Sequence, residues 1–375
     1  MARDVIPFNL ANFQGEELTN IELALSRGNT AGNGPFGREA ASVLSSMHAG
    51  SPVLLTPSCT SALELAARLV EFGDGDEIIV PSYTFVSTVS AFASNGATPV
   101  FCDVDPRTLG MDLVAARALI TPRTRAICIV HYAGVPADPF GFAELAKEFG
   151  LVLIEDNAHG LGGGWEGQRL GTFGALSTLS FHETKNITCG EGGALVINDK
   201  NLLERAEILQ QKGTNRTKFL NGQVDKYTWV DVGSSWVMSD ILAGVLLAQL
   251  ARFETIQSER MELWLELHCS LEDWAVAHGV KLASKSSNHT AHMFYLLFPD
   301  ESERRLFIRH LELLGVKSVF HYQPLHSSRI GSRWVKPGQV FPVSEFVGSS
   351  LVRLPFHTRI NAKQRQRVID AVTAY

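Results

Sequence analysis

Two charged positions raise the first question of chemistry. The run Leu151-Val152-Leu153-Ile154 has a buried-strand pattern and leads directly into Glu155-Asp156-Asn157-Ala158-His159. An acid at the carboxyl end of a strand can cap the next helix. It can also hold a cationic ligand. A protonated pyridine nitrogen is one such partner, because a carboxylate that keeps it charged makes the ring an electron sink. Farther on, Lys185 stands in Ser180-Phe181-His182-Glu183-Thr184-Lys185-Asn186, after another strand pattern and before Cys189-Gly190-Glu191-Gly192-Gly193. A lysine is ordinarily a solvated surface residue. One set between a strand end and a glycine-rich turn, where backbone can pass close to a ligand, can become a Schiff-base nucleophile. Desolvation and neighbouring positive charge lower its pKa for that role.

A phosphorylated cofactor also needs an anion site. Thr56-Pro57-Ser58-Cys59-Thr60-Ser61-Ala62 places hydroxyls where a helix begins, and the free amides and dipole there attract an anion. An ordinary N-cap would use the same residues. Ser180 could add a further hydroxyl. Pro81-Ser82-Tyr83-Thr84-Phe85 closes another strand pattern, and its aromatic ring could cover a planar cofactor or pack in the core. In chain order these are a phosphate loop, an aromatic, an acid at a strand end and a glycine-flanked lysine. That is the layout of a type I pyridoxal-phosphate (PLP) enzyme.

The scaffold is predicted from periodicity. Strand-like runs at 77–81, 98–104, 125–132, 151–156, 175–182 and 194–198 alternate with helical patterns at 61–72, 84–95, 112–120 and 140–149. This predicts an α/β fold with a mainly parallel sheet covered by helices, binding its ligands beyond the carboxyl ends of the strands. Ser239-Asp240 caps an apolar-periodic segment to about Leu271, read as one connecting helix. A smaller α/β unit follows, with strand-like runs at 292–298 and 316–322 and helices at 301–314 and from about Asn361. The 375 residues exceed what one core usually holds, so the predicted division is 1–250 as the cofactor domain and 251–375 as connecting helix and small domain. A net charge of −6 offers no reason to expect nucleic acid. The five cysteines, Cys59, Cys102, Cys128, Cys189 and Cys269, include no C-x-x-C pair, which argues against a disulfide framework or zinc site and for a reducing cytoplasm. Residues 1–4 lead into no signal-like apolar run, and no stretch reaches the ~18 apolar residues of a membrane span.

At these residues the chain resembles the DegT/DnrJ/StrS family of sugar aminotransferases over nearly its whole length. The resemblance is carried by Pro7-Phe8-Asn9, Thr56-Pro57-Ser58-Cys59-Thr60, Pro81-Ser82-Tyr83-Thr84-Phe85-Val86-Ser87-Thr88, Val130-His131-Tyr132-Ala133-Gly134, Glu155-Asp156, the segment 180–186, Lys212-Gly213-Thr214-Asn215-Arg216 and Pro324-Leu325-His326. It implies a PLP-dependent homodimer with active sites at the subunit interface. It makes Lys185 the lysine that bonds the cofactor, Asp156 the partner of the pyridine nitrogen and Phe85 the stacking aromatic. Cys59, Thr60 and Ser180 become phosphate contacts, His159 lies near the phenolic oxygen, and His326 lies near the sugar. Many relatives carry an Asn-Tyr-Arg run reaching the neighbouring subunit's phosphate. Here the stretch reads Ser235-Trp236-Val237, and Ser234 or Ser235 inherits that role. Lys212 and Arg216 are candidates for the diphosphate side of a sugar nucleotide; a surface loop is the alternative.

Val224-Asp225-Lys226-Tyr227-Thr228-Trp229, the Gly233-Ser234-Ser235 turn and Ala291-His292-Met293-Phe294-Tyr295 match members acting on dTDP-linked 6-deoxy sugars more closely. The leading expectation is therefore transamination at C4 of dTDP-4-keto-6-deoxyglucose, with L-glutamate as donor and 2-oxoglutarate as by-product. Amination at C3 or of another nucleotide sugar is the alternative within the class. PLP-dependent sugar dehydratases replace the lysine with histidine, so Lys185 speaks against that reaction. A non-catalytic PLP or amino-sugar sensor would be expected to carry a DNA-binding segment, and no basic helix-turn-helix pattern precedes Ile6.

Overall fold

The computed structural model describes residues 5–286 and 288–375; residues 1–4 lie outside the described residues. The apolar runs of the first part become β1 (Val53–Thr56), β2 (Glu77–Pro81), β3 (Thr98–Cys102), β4 (Thr124–Val130), β5 (Val152–Asp156), β8 (Leu176–Ser180) and β9 (Gly193–Ile197), with a small hairpin of β6 (Gly164–Trp165) and β7 (Gln168–Arg169) between. They form one seven-stranded sheet in the order β1-β9-β8-β5-β4-β2-β3. Only β9 runs against the rest, antiparallel to both β8 and β1. The other six strands therefore end on the same side. The segments that follow β1, β2, β4, β5 and β8, which carry most of the expected site residues, are thus brought to one edge.

The strands are apolar at nearly every position because both faces are covered. Ile78, Val80, Cys128 and Ile154 pack on one face with the helix Cys59–Val70, whereas Ile79, Ile127, Ile129 and Leu153 face Phe142 and Leu145 of the helix Pro139–Phe149 on the other. Each such fully buried branched side chain contributes about 1.5–3 kcal/mol relative to exposure.

The expected connecting helix is in fact two helices, Asp240–Ala251 and Phe253–Ala277, broken at Arg252. The first is apolar nearly all round and buries Ala243, Leu246 and Leu250 with residues of the helix Pro35–Met47. The second turns Leu263, Trp264, Leu267 and Leu271 into the C-terminal core. One straight rod could not serve both, so the segment bends where the burial partner changes.

The C-terminal unit is a four-stranded antiparallel sheet of β10 (Lys281–Leu282), β11 (Tyr295–Leu297), β12 (Val319–Phe320) and β13 (Leu351–Arg353), in the order β10-β11-β13-β12. The helices Glu301–Leu313 and Ala362–Thr373 accompany it, the latter opened by a capping box between Asn361 and Gln364. The opening segment of the chain is stitched to this unit. The Ile6 amide donates to the Gly315 carbonyl (2.9 Å) and the Lys317 amide to the Ile6 carbonyl (3.1 Å). One core runs through Ile6, Tyr83, Tyr132, Phe294 and Phe298, and so spans the junction of the two units. No helix among the described residues is long and apolar enough to cross a membrane.

Candidate active site

A cavity of about 330 Å³ opens at the shared strand ends. Asp156 closes β5, and successive strand residues point to opposite faces, so its side chain and that of Glu155 part company. Glu155 turns away into a buried hub. Its oxygens accept the amides of Gly171 (2.8 Å), Phe173 (2.7 Å) and Gly174 (2.8 Å) and face His131 Nε2 at 3.0 Å. Burial pushes this carboxyl up, and the hydrogen bonds more than offset it, leaving it below the usual range. The hub pins the loop after β5. Asp156 turns into the cavity, where it accepts the Thr88 hydroxyl (2.7 Å) and the Ala158 amide (3.2 Å). Thr84 lies 2.9 Å from Thr88 and extends the chain of hydroxyls. Burial raises the Asp156 pKa despite these donors. This carboxylate has no ion-pair partner among the described residues.

Lys185 lines the same cavity. Its loop is held at several points. The Lys185 amide donates to the His182 carbonyl (2.9 Å), Asn9 Nδ2 to the Glu183 carbonyl (3.1 Å), and Asn186 Nδ2 to the Thr290 carbonyl (2.8 Å). The turn beyond needs its glycines. Gly190 has φ +89°, and a Cβ on Gly193 would stand 2.4 Å from the Cys59 amide nitrogen, so β9 can pass beneath the helix start only without a side chain there. Burial pushes the Lys185 amine down to about 8; the Asp156 carboxylate opposes the shift and the Arg353 guanidinium adds to it.

Ser58 caps the helix Cys59–Val70 by accepting the Ser61 amide (3.1 Å), and Cys59 and Thr60 occupy its first turn at the cavity wall. Thr60 lies 2.8 Å from the Ser87 hydroxyl, and Cys59 Sγ lies 3.6 Å from the Thr178 hydroxyl. Burial keeps the Cys59 thiol protonated. Ser180, at the end of β8, lines the cavity too. Phe85 stands at its rim with 55% of its surface exposed. His159 stacks on His292 at 4.1 Å, and burial drives both imidazoles far below their ordinary pKa, so both are neutral. His292 Nδ1 is fixed 2.9 Å from Asn186 Oδ1, whereas His159 Nδ1 is buried without a partner.

Lys185, Asp156, Cys59, Thr60, Phe85, His159 and Ser180 thus converge on one cavity. Four expected residues do not line it. His326 has its Nδ1 2.5 Å from the Ser82 hydroxyl and its Nε2 3.3 Å from Glu345, and its ring stacks on Phe341 at 4.1 Å. Both nitrogens are occupied and the imidazole is packed between these neighbours, outside the lining of this chain's cavity. Ser235, Lys212 and Arg216 are exposed on the stretch 211–237. Neither cation has an ion-pair partner among the described residues. Conversely, Thr88, Tyr132, His292, His321, Tyr322 and Arg353 line the cavity without having been assigned a role from sequence. The first three lie inside the motif runs quoted above; nothing local marks the last three.

The sequence profile of the DegT/DnrJ/EryC1/StrS aminotransferase family matches residues 12–373. The chain belongs to this family. Among solved structures, DegT/DnrJ/EryC1/StrS-type folds superpose closely. The aminotransferase TlmJ from Streptoalloteichus hindustanus is similar at 28% identity and TM-score 0.90, with 99% of this chain and 98% of that one covered. DesV from S. venezuelae, solved in complex with a ketimine intermediate, is 30% identical with TM-score 0.86, covering 96% and 94%. Spr1654 from Streptococcus pneumoniae, described as a sugar aminotransferase, is 26% identical; its PMP form has TM-score 0.90 with 99% and 97% covered, and a PLP form is also known. As a family member with the type I fold, the chain is a PLP-dependent sugar aminotransferase.

The residues present fit PLP. A buried carboxylate without a cation, at Asp156, suits a protonated pyridine nitrogen. The orphaned His159 Nδ1 suits an oxygen substituent on the ring. The first-turn amides of the helix Cys59–Val70 have no helical acceptor and suit a phosphate. The depressed lysine adds a pH prediction. Only the neutral amine is nucleophilic, so recombination of PLP with the apoprotein should accelerate as pH rises through about 8 and level off above it. Stopped-flow absorbance across pH 6.5–10.5 reads this directly (the range spans both limits). A rate still climbing toward 10.5 would mean an ordinary, solvated lysine.

Proposed function

We propose that the enzyme aminates C4 of dTDP-4-keto-6-deoxyglucose, taking the amino group from L-glutamate and releasing 2-oxoglutarate. The observation that carries the transamination is the meeting of Lys185, with its lowered pKa, and an unpaired Asp156 carboxylate in one cavity. When bound, PLP supplies the electron sink that lets a proton leave the carbon bearing the nitrogen. Asp156 keeps the ring nitrogen protonated, and Thr84 and Thr88 hold that carboxylate in place. Phe85 covers one face of the ring. Cys59, Thr60 and Ser180 hold the phosphate, and His159 meets the phenolic oxygen as a neutral imidazole. Lys185 first holds the cofactor and then, as a free amine, moves the proton on and off the substrate carbon in both half-reactions.

The nucleotide lies outside the mouth of this cavity. Lys212 and Arg216, exposed and without ion-pair partners among the described residues, take the diphosphate side. The same stretch exposes Phe219, Tyr227, Trp229 (70%), Val230 and Val232, an apolar run suited to a second subunit. In the resulting homodimer, Ser235 reaches the partner's cofactor phosphate. The five cysteines are free, in keeping with the reducing cytoplasm.

Support for the dTDP sugar comes from the segments 224–229 and 291–295, which resemble the corresponding runs of the transaminase WecE. Remote nucleotide contacts position C4, so activity should require them. With glutamate fixed, kcat/KM should be far higher for dTDP-4-keto-6-deoxyglucose than for the free keto sugar or a UDP-linked 4-keto N-acetyl sugar. Equal values would show that the nucleotide is not read, and a UDP preference would move the enzyme to another branch. Proton NMR couplings of the product then give the configuration at C4.

A further inference from the structure

The segment 289–292, just ahead of β11, holds His159 at two points. The Thr290 hydroxyl donates to the His159 carbonyl (2.6 Å). The His292 ring lies flat on the His159 ring, with 4.1 Å between centroids and 18° between planes. Tyr132 meets the same ring edge-on at 6.0 Å. The His159 ring makes no hydrogen bond among the described residues, and its Nδ1 is buried, so packing alone orients it. His292 is tied down differently. Asn186 Nδ2 donates to the Thr290 carbonyl (2.8 Å), which fixes the amide so that Oδ1 faces His292 Nδ1 at 2.9 Å, and Nδ1 therefore carries the ring's proton. Gln257 Nε2 donates to the same Thr290 carbonyl (2.7 Å). Arg260 donates to the carbonyls of Ala291 (3.0 Å) and His292 (2.6 Å). These bonds hold Ala291 in the left-handed region at φ +47°, a conformation that a residue with a Cβ adopts only when its surroundings impose it.

We infer that His292 is a positioning residue: its ring is the platform that sets the plane of His159, and Asn186 ties that platform to the loop of Lys185. A hydrogen bond weakens steeply as its angle closes, so a His159 ring free to rock would present its nitrogen to the phenolic oxygen only part of the time. The stack removes that freedom without occupying Nδ1 of His159, which is left for the cofactor. Burial, and after it the cations Lys185, Arg353 and Arg260, keep the His292 ring neutral, so the two imidazoles meet as uncharged planes. Because Asn186 follows Lys185 in the chain, the lysine loop and His159 are held to one element of the C-terminal unit. The inference rests on the placement of His159 at the phenolic oxygen proposed above and assigns the residue that enforces it.

The test separates the flat face of His292 from its hydrogen bond. His292→Phe keeps the face and loses the N–H, whereas His292→Asn keeps an N–H for Asn186 and loses the face. His159→Phe removes both nitrogens of the ring that rests on it. In apoprotein labelled with ¹⁵N at histidine, the ring signals missing from His159→Phe belong to His159. They should report one neutral tautomer in the wild type and in His292→Phe, and broaden by exchange in His292→Asn. In the PLP-loaded protein, a hydrogen bond to the charged phenolic oxygen lowers the pH midpoint of the cofactor's visible absorbance. His292→Asn should therefore raise that midpoint by about half a unit or more and slow the glutamate half-reaction roughly tenfold with KM little changed, whereas His292→Phe should stay within about twofold of the wild type. In the His159→Phe background the effect of His292→Asn should disappear. Wild-type spectra, midpoint and rate in His292→Asn overturn the inference. So does equal damage from the two His292 variants, which is what a purely structural role would give, or an effect that persists without the His159 imidazole. If His159→Phe itself leaves midpoint and rate unchanged, the role of His159 is what fails, and the apoprotein spectra still decide whether His292 fixes its ring.

Discussion

Lys185→Ala should lower transamination by roughly 10⁴-fold or more, because one amine both holds the cofactor and moves the proton in each half-reaction. Proton transfer by a positioned group is itself worth about 10²–10⁴-fold. The variant should fold. In the wild-type apoprotein the amine titrates near 8 instead of 10.5, so the folded state is penalised while both states are protonated, below pH 8. That penalty is released as pH rises from the folded toward the unfolded pKa, where the unfolded chain binds the extra proton. Alanine carries no such penalty, so the apo variant should melt no lower than the wild type at pH 7, offset only by the cavity the shorter side chain leaves. Single-turnover absorbance with glutamate, beside a thermal melt, separates lost chemistry from lost fold. Near-normal turnover in this variant would remove Lys185 from the centre of the reaction.

Asp156→Asn should keep PLP but slow the glutamate half-reaction by at least about a hundredfold, since a neutral amide cannot hold the ring nitrogen protonated. The substitution is nearly isosteric: the amide oxygen can take the place of the oxygen that accepts the Ala158 amide, and the NH2 then faces the Thr88 hydroxyl, which can turn to accept it. Burial already disfavours the charged carboxylate, so removing its charge should leave the apoprotein at least as stable. Cofactor content by absorbance and stopped-flow rates with glutamate check both halves of the expectation. A fully loaded Asp156→Asn protein reacting at the wild-type rate would show that the electron sink does not depend on this residue.

The alternating apolar runs, the acid at the end of β5, the capped helix after Thr56 and the glycine-flanked lysine are all local patterns. Periodicity, strand-end position and turn chemistry depend on neighbours in sequence, so the parallel sheet, the cavity edge and Asp156, Lys185, Cys59, Thr60, Ser180 and Phe85 are legible as local candidates, whereas His159 enters only through the family resemblance. Composition likewise carried the size and charge arguments. What tertiary structure decided were the meetings between distant segments. Glu155 and Asp156 are adjacent in sequence, and only the pleat and the Gly171–Gly174 loop make one a structural hub and the other a cavity wall. The segment after Ser239 carries one continuous apolar pattern, and its break at Arg252 follows from a change of burial partner that periodicity cannot express. His326 sits in a motif, yet packing against Phe341 and Ser82 turns it away from the cavity. Tyr132 and His321 meet across 189 residues. Arg353 beside them looks from sequence like any strand-end arginine; folding brings the strand that carries it to the cavity wall, where its Nε is buried without an acceptor, a meeting of distant segments that no local pattern expresses.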